Sequence, residues 1–260
     1  MPAAEHAAVH SDRPVVAFFD VDNTLLQGAS VYHVSRAAWR RGYVGLRDLL
    51  LFSWQQARFM AVGENKEHIH SAQERALLVA KGHPSGALKD LAEDIYEHDL
   101  ESRLWPETVE LTREHLARGH EVWLITAAPV DIASVIATRL GLTGALGTTL
   151  RSKDGVLTGE LEGPILHGER KVVAANELVS RLGADLSECW AYSDSSNDLP
   201  LLQLVGHRVV VNPDAKLLTV ARENGWSVMK LDPASIRSAR ARVRREGRRV
   251  RRGDKKRQAR

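Results

Sequence analysis

The sequence predicts an α/β fold with a doubly wound parallel sheet, into which a small α-helical cap is inserted after the first strand. From residue 106 onward, short apolar runs alternate with helical stretches, which is typical of a parallel sheet covered by helices on both faces. Between residues 27 and 105 such apolar runs are missing and only helical stretches occur. We therefore expect an α/β core over residues 15–26 and 106–232 and a helical cap over residues 27–105.

The first strand is predicted from the continuous apolar run at residues 15–19, which is typical of a strand buried on both faces. In the insert, glycine follows three of the helical stretches directly or within two residues, and glycine favours helix ends. The predicted helices of the insert cover residues 30–41, 46–62, 66–80 and 86–100.

The second half of the chain supplies the remaining elements. Pro106 favours the first turn of a helix that stops at Gly119, and Asp154-Gly155 indicates the turn of a β-hairpin over residues 148–161. Strands are predicted over residues 121–125, 189–193, 207–211 and 226–231. Helices are predicted over residues 131–140, 171–182, 198–205 and 214–224.

The composition, 43% hydrophobic and 27% charged over 260 residues, is ordinary for a globular protein. The single cysteine, Cys189, cannot form an internal disulfide and is expected to be buried in a strand. Residues 1–14 lack a secretory pattern and are expected to form a disordered lead. The longest apolar segment, residues 44–62, carries too many polar side chains to cross a membrane, so we expect no transmembrane segment and a cytoplasmic location.

The net charge of +3 conceals an uneven distribution. Residues 233–260 contain 13 Lys and Arg against two acids and carry +11, which leaves −8 for the rest of the chain. This basic tail is expected to be disordered or loosely helical. It favours a solvated extension, and nonspecific contact with nucleic acid or with an anionic membrane is the alternative.

Three predicted strands end in polar residues: Asp20, Thr126 and Asp194. Because ligands of open α/β sheets bind beyond the carboxyl ends of the strands, we expect these residues to converge. Asp20 and Asp22 lie two residues apart in a turn, so both can face the cleft. A carboxylate can attack a phosphoryl group, and a second can protonate the departing alkoxide and later activate water. We predict these roles for Asp20 and Asp22 respectively.

Charge is the obstacle to this reaction, because a carboxylate and a phosphate ester repel each other. A divalent cation between them offsets the repulsion, and Mg²⁺ prefers oxygen ligands. The side chains of Asp20 and Asp194 and the backbone carbonyl of Asp22 can supply these ligands. Asp198 and Asn197 are predicted to support the ligands without contacting the metal.

The phosphoryl oxygens also need hydrogen-bond donors. Thr126 precedes a predicted helix, so its hydroxyl and the following backbone N–H groups, beginning with Ala127, can bind an anion. Lys171, at the start of another predicted helix, offers a positive charge to the same phosphate. Arg170 and Lys153 are alternatives for that role.

The order of these motifs resembles the haloacid dehalogenase superfamily of phosphohydrolases over about residues 15–231. The motifs are D-x-D-x-T at residues 20–24, a threonine at a strand end, a lysine, and D-S-x-x-D at residues 194–198. The insert looks like the cap of the branch that contains phosphoserine phosphatase, and within it the chain is similar to subfamily IB hydrolases. The resemblance implies an aspartyl phosphate on Asp20 and acid–base catalysis by Asp22. It also implies Mg²⁺ on Asp20, Asp22 and Asp194, and phosphate binding by Thr126 and Lys171.

The predicted function is therefore Mg²⁺-dependent hydrolysis of a small phosphomonoester through an aspartyl-phosphate intermediate. The alternatives are a phosphotransferase that uses the same intermediate and a polyanion-binding protein that acts through its basic tail. Phosphoserine phosphatases carry a glutamate shortly after the first motif. The matching residues here, from Gln27 to Ser30, include no acid, which argues against phosphoserine as the substrate.

Overall fold

The computed structural model describes residues 13–42, 45, 77–242 and 245. Its strands are β1 (Val16–Phe19), β2 (Glu121–Pro129), β3 (Gly144–Thr148), β4 (Leu150–Lys153), β5 (Val156–Leu161), β6 (Trp190–Ser193), β7 (His207–Val211) and β8 (Ser227–Met229). Six of them form one sheet in the order β3-β2-β1-β6-β7-β8, and every neighbouring pair is parallel. The chain winds outward from β1 first in one direction and then in the other. This confirms the predicted doubly wound α/β fold.

Helices flank this sheet. They are α1 (Ser30–Arg40), α2 (Gly86–Ile95), α3 (Pro106–Ala117), α4 (Val130–Leu140), α5 (Glu169–Leu182), α6 (Leu199–Leu204) and α7 (Ala215–Glu223). A π-helical turn at Tyr96–Leu100 extends α2, and 3₁₀ turns occur at Glu101–Arg103 and Ser196–Asp198. Pro106 opens α3, as its fixed φ and missing N–H favour. No helix in the described part of the chain has the length and apolar content needed to cross a membrane.

The strand β1 lies at the centre of the sheet and is buried on both faces. Ala17 and Phe19 belong to the cluster of apolar side chains on one face, and Val16 and Phe18 belong to the cluster on the other. Side chains of a strand alternate between faces, so a continuous apolar run suits a strand between two helical layers. This packing fixes where β1 ends, and therefore where Asp20 lies.

Both described ends of the predicted cap are joined to the core. Leu91 and Ile95 of α2 share the apolar cluster of Phe19, and α2 packs on α4. Arg139 of α4 donates to Glu97 at 2.8 Å and through Nε to Glu93 at 3.0 Å. The helix predicted at 46–62 and most of the one predicted at 66–80 lie outside the described residues. The boundaries of the cap therefore stay a prediction.

The second strand is longer than predicted. The sequence indicated an end at residue 125, but β2 continues to Pro129, which pairs with Thr148 after a shift in register. Gly147 makes this close approach of β3 possible, because a Cβ there would lie 2.7 Å from Cα of Val130 and 2.9 Å from the carbonyl oxygen of Ala128. Thr126 therefore lies inside an irregular strand and not in a turn.

The first ten residues of the predicted basic tail form a helix over residues 233–242, here named α8. Ile236 is buried, Ser235 Oγ donates to Glu107 at 3.1 Å, and an Nη2 of Arg240 donates to Oγ of Ser102 at 3.2 Å. The start of the tail, which the sequence predicts to be disordered or loosely helical, therefore contacts the core through this helix. Most of the remaining tail, and the predicted lead up to residue 12, lie outside the described residues.

Candidate active site

A cavity of about 400 Å³ opens at the carboxyl ends of β1, β2 and β6. It brings together seven of the eight predicted site residues, which are Asp20, Asp22, Thr126, Ala127, Lys171, Asp194 and Asp198. The eighth, Asn197, does not line the cavity. The other lining residues are Asn23, Trp105, His167, Ser195, Asn212 and Asp214.

Asp20 directly follows β1 and points into a nearly closed environment, with 7% of the residue exposed. Its backbone N–H donates to the carbonyl of Tyr192 on β6 at 3.0 Å, so the ladder between the two strands continues to this residue. The ring of Phe19 also stacks on Tyr192, with centroids 4.1 Å apart. The strands themselves therefore hold the position of Asp20.

The first turn of α1 holds the Asp22 carboxylate. One carboxylate oxygen accepts the backbone N–H of Ser30 at 2.8 Å, and the other accepts the hydroxyl of Ser30 at 3.2 Å. Asn23 adopts a left-handed conformation, with φ of 57°, and its side chain accepts the N–H of Gly28. This turn folds the chain back so that α1, which begins at Ser30, starts beside the Asp22 carboxylate.

Lys171 connects two acids at the base of the cavity. Its Nζ donates to Oδ1 of Asp20 and to Oδ2 of Asp198, both at 2.7 Å, and only 3% of the lysine is exposed. Gly168, with φ of 55°, provides the sharp entry into α5 that places Lys171 there. Arg170 and Lys153, the alternatives from the sequence, are exposed.

Negative charge exceeds positive charge in this cluster. Burial and the nearby carboxylates of Asp198 and Asp22 raise the pKa of Asp20 to about 7, although Lys171 opposes the shift. Burial, together with the carboxylates of Asp20, Asp198 and Asp22, also raises the pKa of Asp194 well above its ordinary value. Although burial works against its charge, Lys171 has a raised pKa because it lies against Asp198 and Asp20. Lys171 therefore stays protonated, and its single positive charge does not balance the carboxylates around it.

The donor set suits a divalent cation that prefers oxygen. Asp20, Asp22 and Asp194 line one cavity, and a cation would relieve the repulsion that raises the pKa of Asp20 and Asp194. Among the residues that the structure describes, no three His, Cys, Asp or Glu side chains form a ready metal cluster. The ligands predicted from the sequence are the side chains of Asp20 and Asp194 and the backbone carbonyl of Asp22. This set does not require a cluster of three such side chains. These residues therefore fit Mg²⁺.

The irregular part of β2 forms another wall. The hydroxyl of Thr126 accepts the N–H of Ala128 at 3.1 Å, so that N–H is already engaged and the hydroxyl proton remains available for donation. Thr148 donates to the carbonyl of Ala127 at 2.8 Å and accepts the N–H of Leu166. Thr126 and Ala127 therefore face the cavity from a fixed backbone.

Asp194 lies in a segment with many internal hydrogen bonds. Ser193 Oγ donates to Asp198 at 2.7 Å, and it accepts the N–H of Ser195. The backbone and side-chain amides of Asn197 both donate to Oγ of Ser195 at 3.2 Å. Asn197 therefore contacts the loop that carries Asp194 and not the cavity.

Trp105 and Asp214 line the cavity but were not predicted from the sequence. Asp214 follows β7, so the rule that pointed to the ends of three other strands could also have found it. Trp105 lies where the chain returns from the insert, and no sequence pattern signals it. Its indole N–H is buried and has no hydrogen-bond partner among the residues described.

The parallel sheet places a cavity rich in carboxylates beyond the ends of its strands, which is where open α/β sheets bind ligands. The chain belongs to the haloacid dehalogenase-like hydrolase family, whose family model matches residues 17–203. It is a phosphatase, a phosphoric monoester hydrolase. This confirms the resemblance drawn from the sequence.

Individual proteins similar to the chain agree with this assignment. Phosphoserine phosphatase SerB1 of Mycobacterium tuberculosis is 47% identical over 234 residues, which span 88% of this chain and 76% of that protein. A histidinol-phosphatase of Neisseria meningitidis is 29% identical over 221 residues, or 82% of this chain and 97% of that protein. The crystal structure of a protein of unknown function from Bordetella pertussis matches with a TM-score of 0.71 and 29% identity, and the match covers 84% and 98% of the two chains.

Proposed function

We propose that the chain hydrolyses a small phosphomonoester through a phosphorylated Asp20, with Mg²⁺ as its cofactor. The observation that carries this proposal is the buried Asp20 at the end of β1, bonded to Lys171 in a cavity that Asp22 and Asp194 also line. The Lys171 ammonium, 2.7 Å from Oδ1 of Asp20, fixes the position of this buried carboxylate before the substrate binds. The carboxylate therefore does not lose conformational freedom during the attack.

In the first step, a carboxylate oxygen of Asp20 attacks phosphorus and forms an Asp20–phosphorus bond as the bond to the ester oxygen breaks. Asp22 gives a proton to the departing alkoxide, which leaves as an alcohol. Ser30 holds both oxygens of Asp22, and this fixes the direction from which the proton is delivered. The leaving group is expected on the side of the cavity that faces α1.

In the second step, water attacks the same phosphorus, and the carboxylate of Asp22 takes the proton of that water. The bond between phosphorus and Asp20 breaks, which releases inorganic phosphate and restores the Asp20 carboxylate. The hydroxyl of Thr126 and the ammonium of Lys171 donate to the phosphoryl oxygens throughout. Mg²⁺, held by Asp20, Asp194 and the carbonyl of Asp22, would neutralise charge between the carboxylate and the phosphoryl group.

Hydrolysis of p-nitrophenyl phosphate tests this proposal. We expect turnover with Mg²⁺, loss of turnover with EDTA, and no turnover for Asp20→Asn. Intact-mass spectra of acid-quenched wild type should contain a species heavier by one phosphoryl group, and Asp20→Asn should lack it. Asp154→Asn is a matched control, because Asp154 is exposed in a hairpin turn with φ of 52°, which asparagine tolerates. Full activity of Asp20→Asn would overturn the proposal.

The substrate is tested with a panel of phosphorylated metabolites that includes phosphoserine and histidinol phosphate, the compounds named for two of the relatives. Among the described residues, the acids that line the cavity are Asp20, Asp22, Asp194, Asp198 and Asp214. The first four belong to the proposed reaction centre, and Asp214 binds backbone amides. This supports a small phosphomonoester recognised without an additional carboxylate from the core. Release of phosphate with and without an added alcohol acceptor separates hydrolysis from phosphotransfer.

A further inference from the structure

At the edge of the cavity, Asp214 makes two hydrogen bonds that join two loops and a third that caps a helix. Its Oδ2 accepts the N–H of Ser196 at 2.7 Å, and its Oδ1 accepts the N–H of Leu217 at 2.8 Å. Its own N–H donates to the carbonyl oxygen of Asp194 at 2.9 Å. The residue therefore caps α7 and at the same time contacts the loop that follows β6.

These contacts hold the backbone on the carboxyl-terminal side of Asp194. The backbone N–H of Asp214 donates to the Asp194 carbonyl, and the Asp214 side chain accepts the N–H of Ser196, two residues later. On the far side of the loop, Ser193 and Lys171 hold Asp198 at 2.7 Å each. Asp194 thus lies between an anchor at β6 and α5 and a second anchor at Asp214.

Asp214 lines the cavity but is not arranged as a metal ligand. Each of its carboxylate oxygens already accepts a backbone N–H at a distance of 2.8 Å or less. Binding a cation through either oxygen would weaken the cap of α7 or release the Ser196 amide. The geometry therefore suits a residue that orients a ligand and does not itself bind the metal.

We propose that Asp214 is a positioning residue for the metal site, and that it sets the affinity for Mg²⁺ by fixing the loop that presents Asp194. This rests on the proposed function, since it takes Asp194 as a metal ligand. Partners that orient a metal ligand commonly change metal affinity by about 10-fold to 100-fold when they are replaced. Asp214 should therefore control metal binding while leaving the chemical step intact once the metal is bound.

The variant Asp214→Asn separates this role from helix capping. Asparagine caps a helix about as well as aspartate, so its oxygen can still accept the N–H of Leu217. Its amide nitrogen, however, cannot accept the N–H of Ser196. The variant Asp214→Ser also keeps a capping oxygen but is too short to reach both amides. Asp232→Asn is the matched control, because Asp232 accepts the N–H of Ala234 at the start of α8 and does not line the cavity.

Isothermal titration calorimetry of the full chain with Mg²⁺ gives a readout that is independent of turnover. We expect both Asp214 variants to bind Mg²⁺ at least 10-fold more weakly than wild type. Asp232→Asn should bind as wild type does. With p-nitrophenyl phosphate, the Mg²⁺ concentration for half-maximal rate should rise in parallel, and kcat at saturating Mg²⁺ should stay near the wild-type value.

The outcomes separate the two proposals. If wild type binds Mg²⁺ and turns over but Asp214→Asn binds Mg²⁺ equally well, the role of Asp214 is overturned and the proposed function stands. A lower melting temperature of the Asp214 variants with unchanged Mg²⁺ affinity likewise overturns it, because that result indicates a structural cap alone. If wild type neither binds Mg²⁺ nor turns over, the proposed function fails, and the role of Asp214 fails with it.

Discussion

The reaction centre and the junction between insert and core differ in how completely their polar groups are bonded. In the reaction centre, Lys171 donates to the carboxylates of Asp20 and Asp198, and Ser193 supplies a second bond to Asp198. At the junction, three buried polar side-chain atoms have no hydrogen-bond partner within the described residues. They are Oγ1 of Thr24, Nδ1 of His33 and Nε1 of Trp105.

This difference in hydrogen bonding distinguishes the two regions energetically. Buried polar atoms without partners are rare and cost about 1–3 kcal/mol each. Thr24 and Trp105 lie where the insert joins the core, and His33 lies in the first helix of the insert. The charged groups of the reaction centre are thus bonded to one another, whereas these three atoms have no partner among the described residues.

The largest effect is expected from removing the Lys171 ammonium group of the reaction centre. Lys171→Met leaves Asp20 and Asp198 buried without their partner, and breaking a buried ion pair in this way costs about 3–5 kcal/mol. Turnover should be lost as well. Urea unfolding and p-nitrophenyl phosphate hydrolysis measure the two effects. Lys153→Met, at an exposed lysine, should change neither, and a stable Lys171→Met protein would show that the cluster is less tightly coupled than its geometry indicates.

The second effect concerns the junction and the tail. Removing residues 243–260 should leave stability and small-substrate turnover close to wild type, because the described contacts of the tail lie in α8. Removing residues 233–260 also deletes the buried Ile236 and its neighbours, and burial of such a side chain stabilises by about 1.5–3 kcal/mol. Thermal unfolding of the two truncations should therefore differ. Identical melting temperatures would mean that α8 does not stabilise the junction.

Stability of the reaction centre should depend on pH in a direction set by Asp20. Its pKa is about 7 in the folded chain against an ordinary value of 3.8, so the folded state holds this proton more tightly than the unfolded state does. Its contribution is favourable below about pH 4 and is lost as pH rises through 7. Mg²⁺ should offset that loss, because it neutralises the ionised carboxylates.

Thermal unfolding with and without Mg²⁺ at pH 5 and pH 8 measures this effect. We expect the stabilisation by Mg²⁺ to be larger at pH 8. Asp20→Asn should remove most of the difference, since asparagine has no proton to lose. Equal stabilisation at both pH values would contradict the assignment of Asp20 as a ligand.

A smaller effect is expected where the two regions meet. Ser30→Ala removes the hydroxyl bond to Asp22 but keeps the stronger bond from the backbone N–H. The loss of one such bond, about 1 kcal/mol, corresponds to a fall in kcat of roughly fivefold. Ser35→Ala, in the same helix, removes only a bond to the carbonyl of Val31 and should leave kcat unchanged. Equal kcat values for both variants would show that the Ser30 hydroxyl does not contribute to acid–base catalysis by Asp22.

The sequence predicted those features that follow from periodicity and from strand ends. The core strand with Asp20 was predicted because an apolar run buried on both faces has few alternatives. The convergence of Asp20, Thr126 and Asp194 followed from the rule that parallel strands present their carboxyl ends at one edge. These features depend on short segments and on one topological rule.

Other features depend on contacts between distant segments and could not be read in this way. The extension of β2 to Pro129 requires the close approach of Gly147. The bond between Asp214 and Ser196 joins loops that follow different strands. The burial of Ile236 could not be predicted either, because it is one apolar residue among the basic residues of α8.

The smallest effect on stability is expected at the junction itself. Trp105→Phe keeps an aromatic ring in a position that is 4% exposed and removes the indole N–H, which has no partner in the described structure. Removal of a buried unpaired donor offsets part of the packing that the smaller ring loses, so we expect the melting temperature to fall by only a few degrees at most. If the N–H is used by a bound substrate, KM for that substrate rises while KM for p-nitrophenyl phosphate does not. A fall larger than this packing loss explains would show that the indole N–H is already bonded in the free protein, and the contrast between the two regions would then be smaller than the structure indicates.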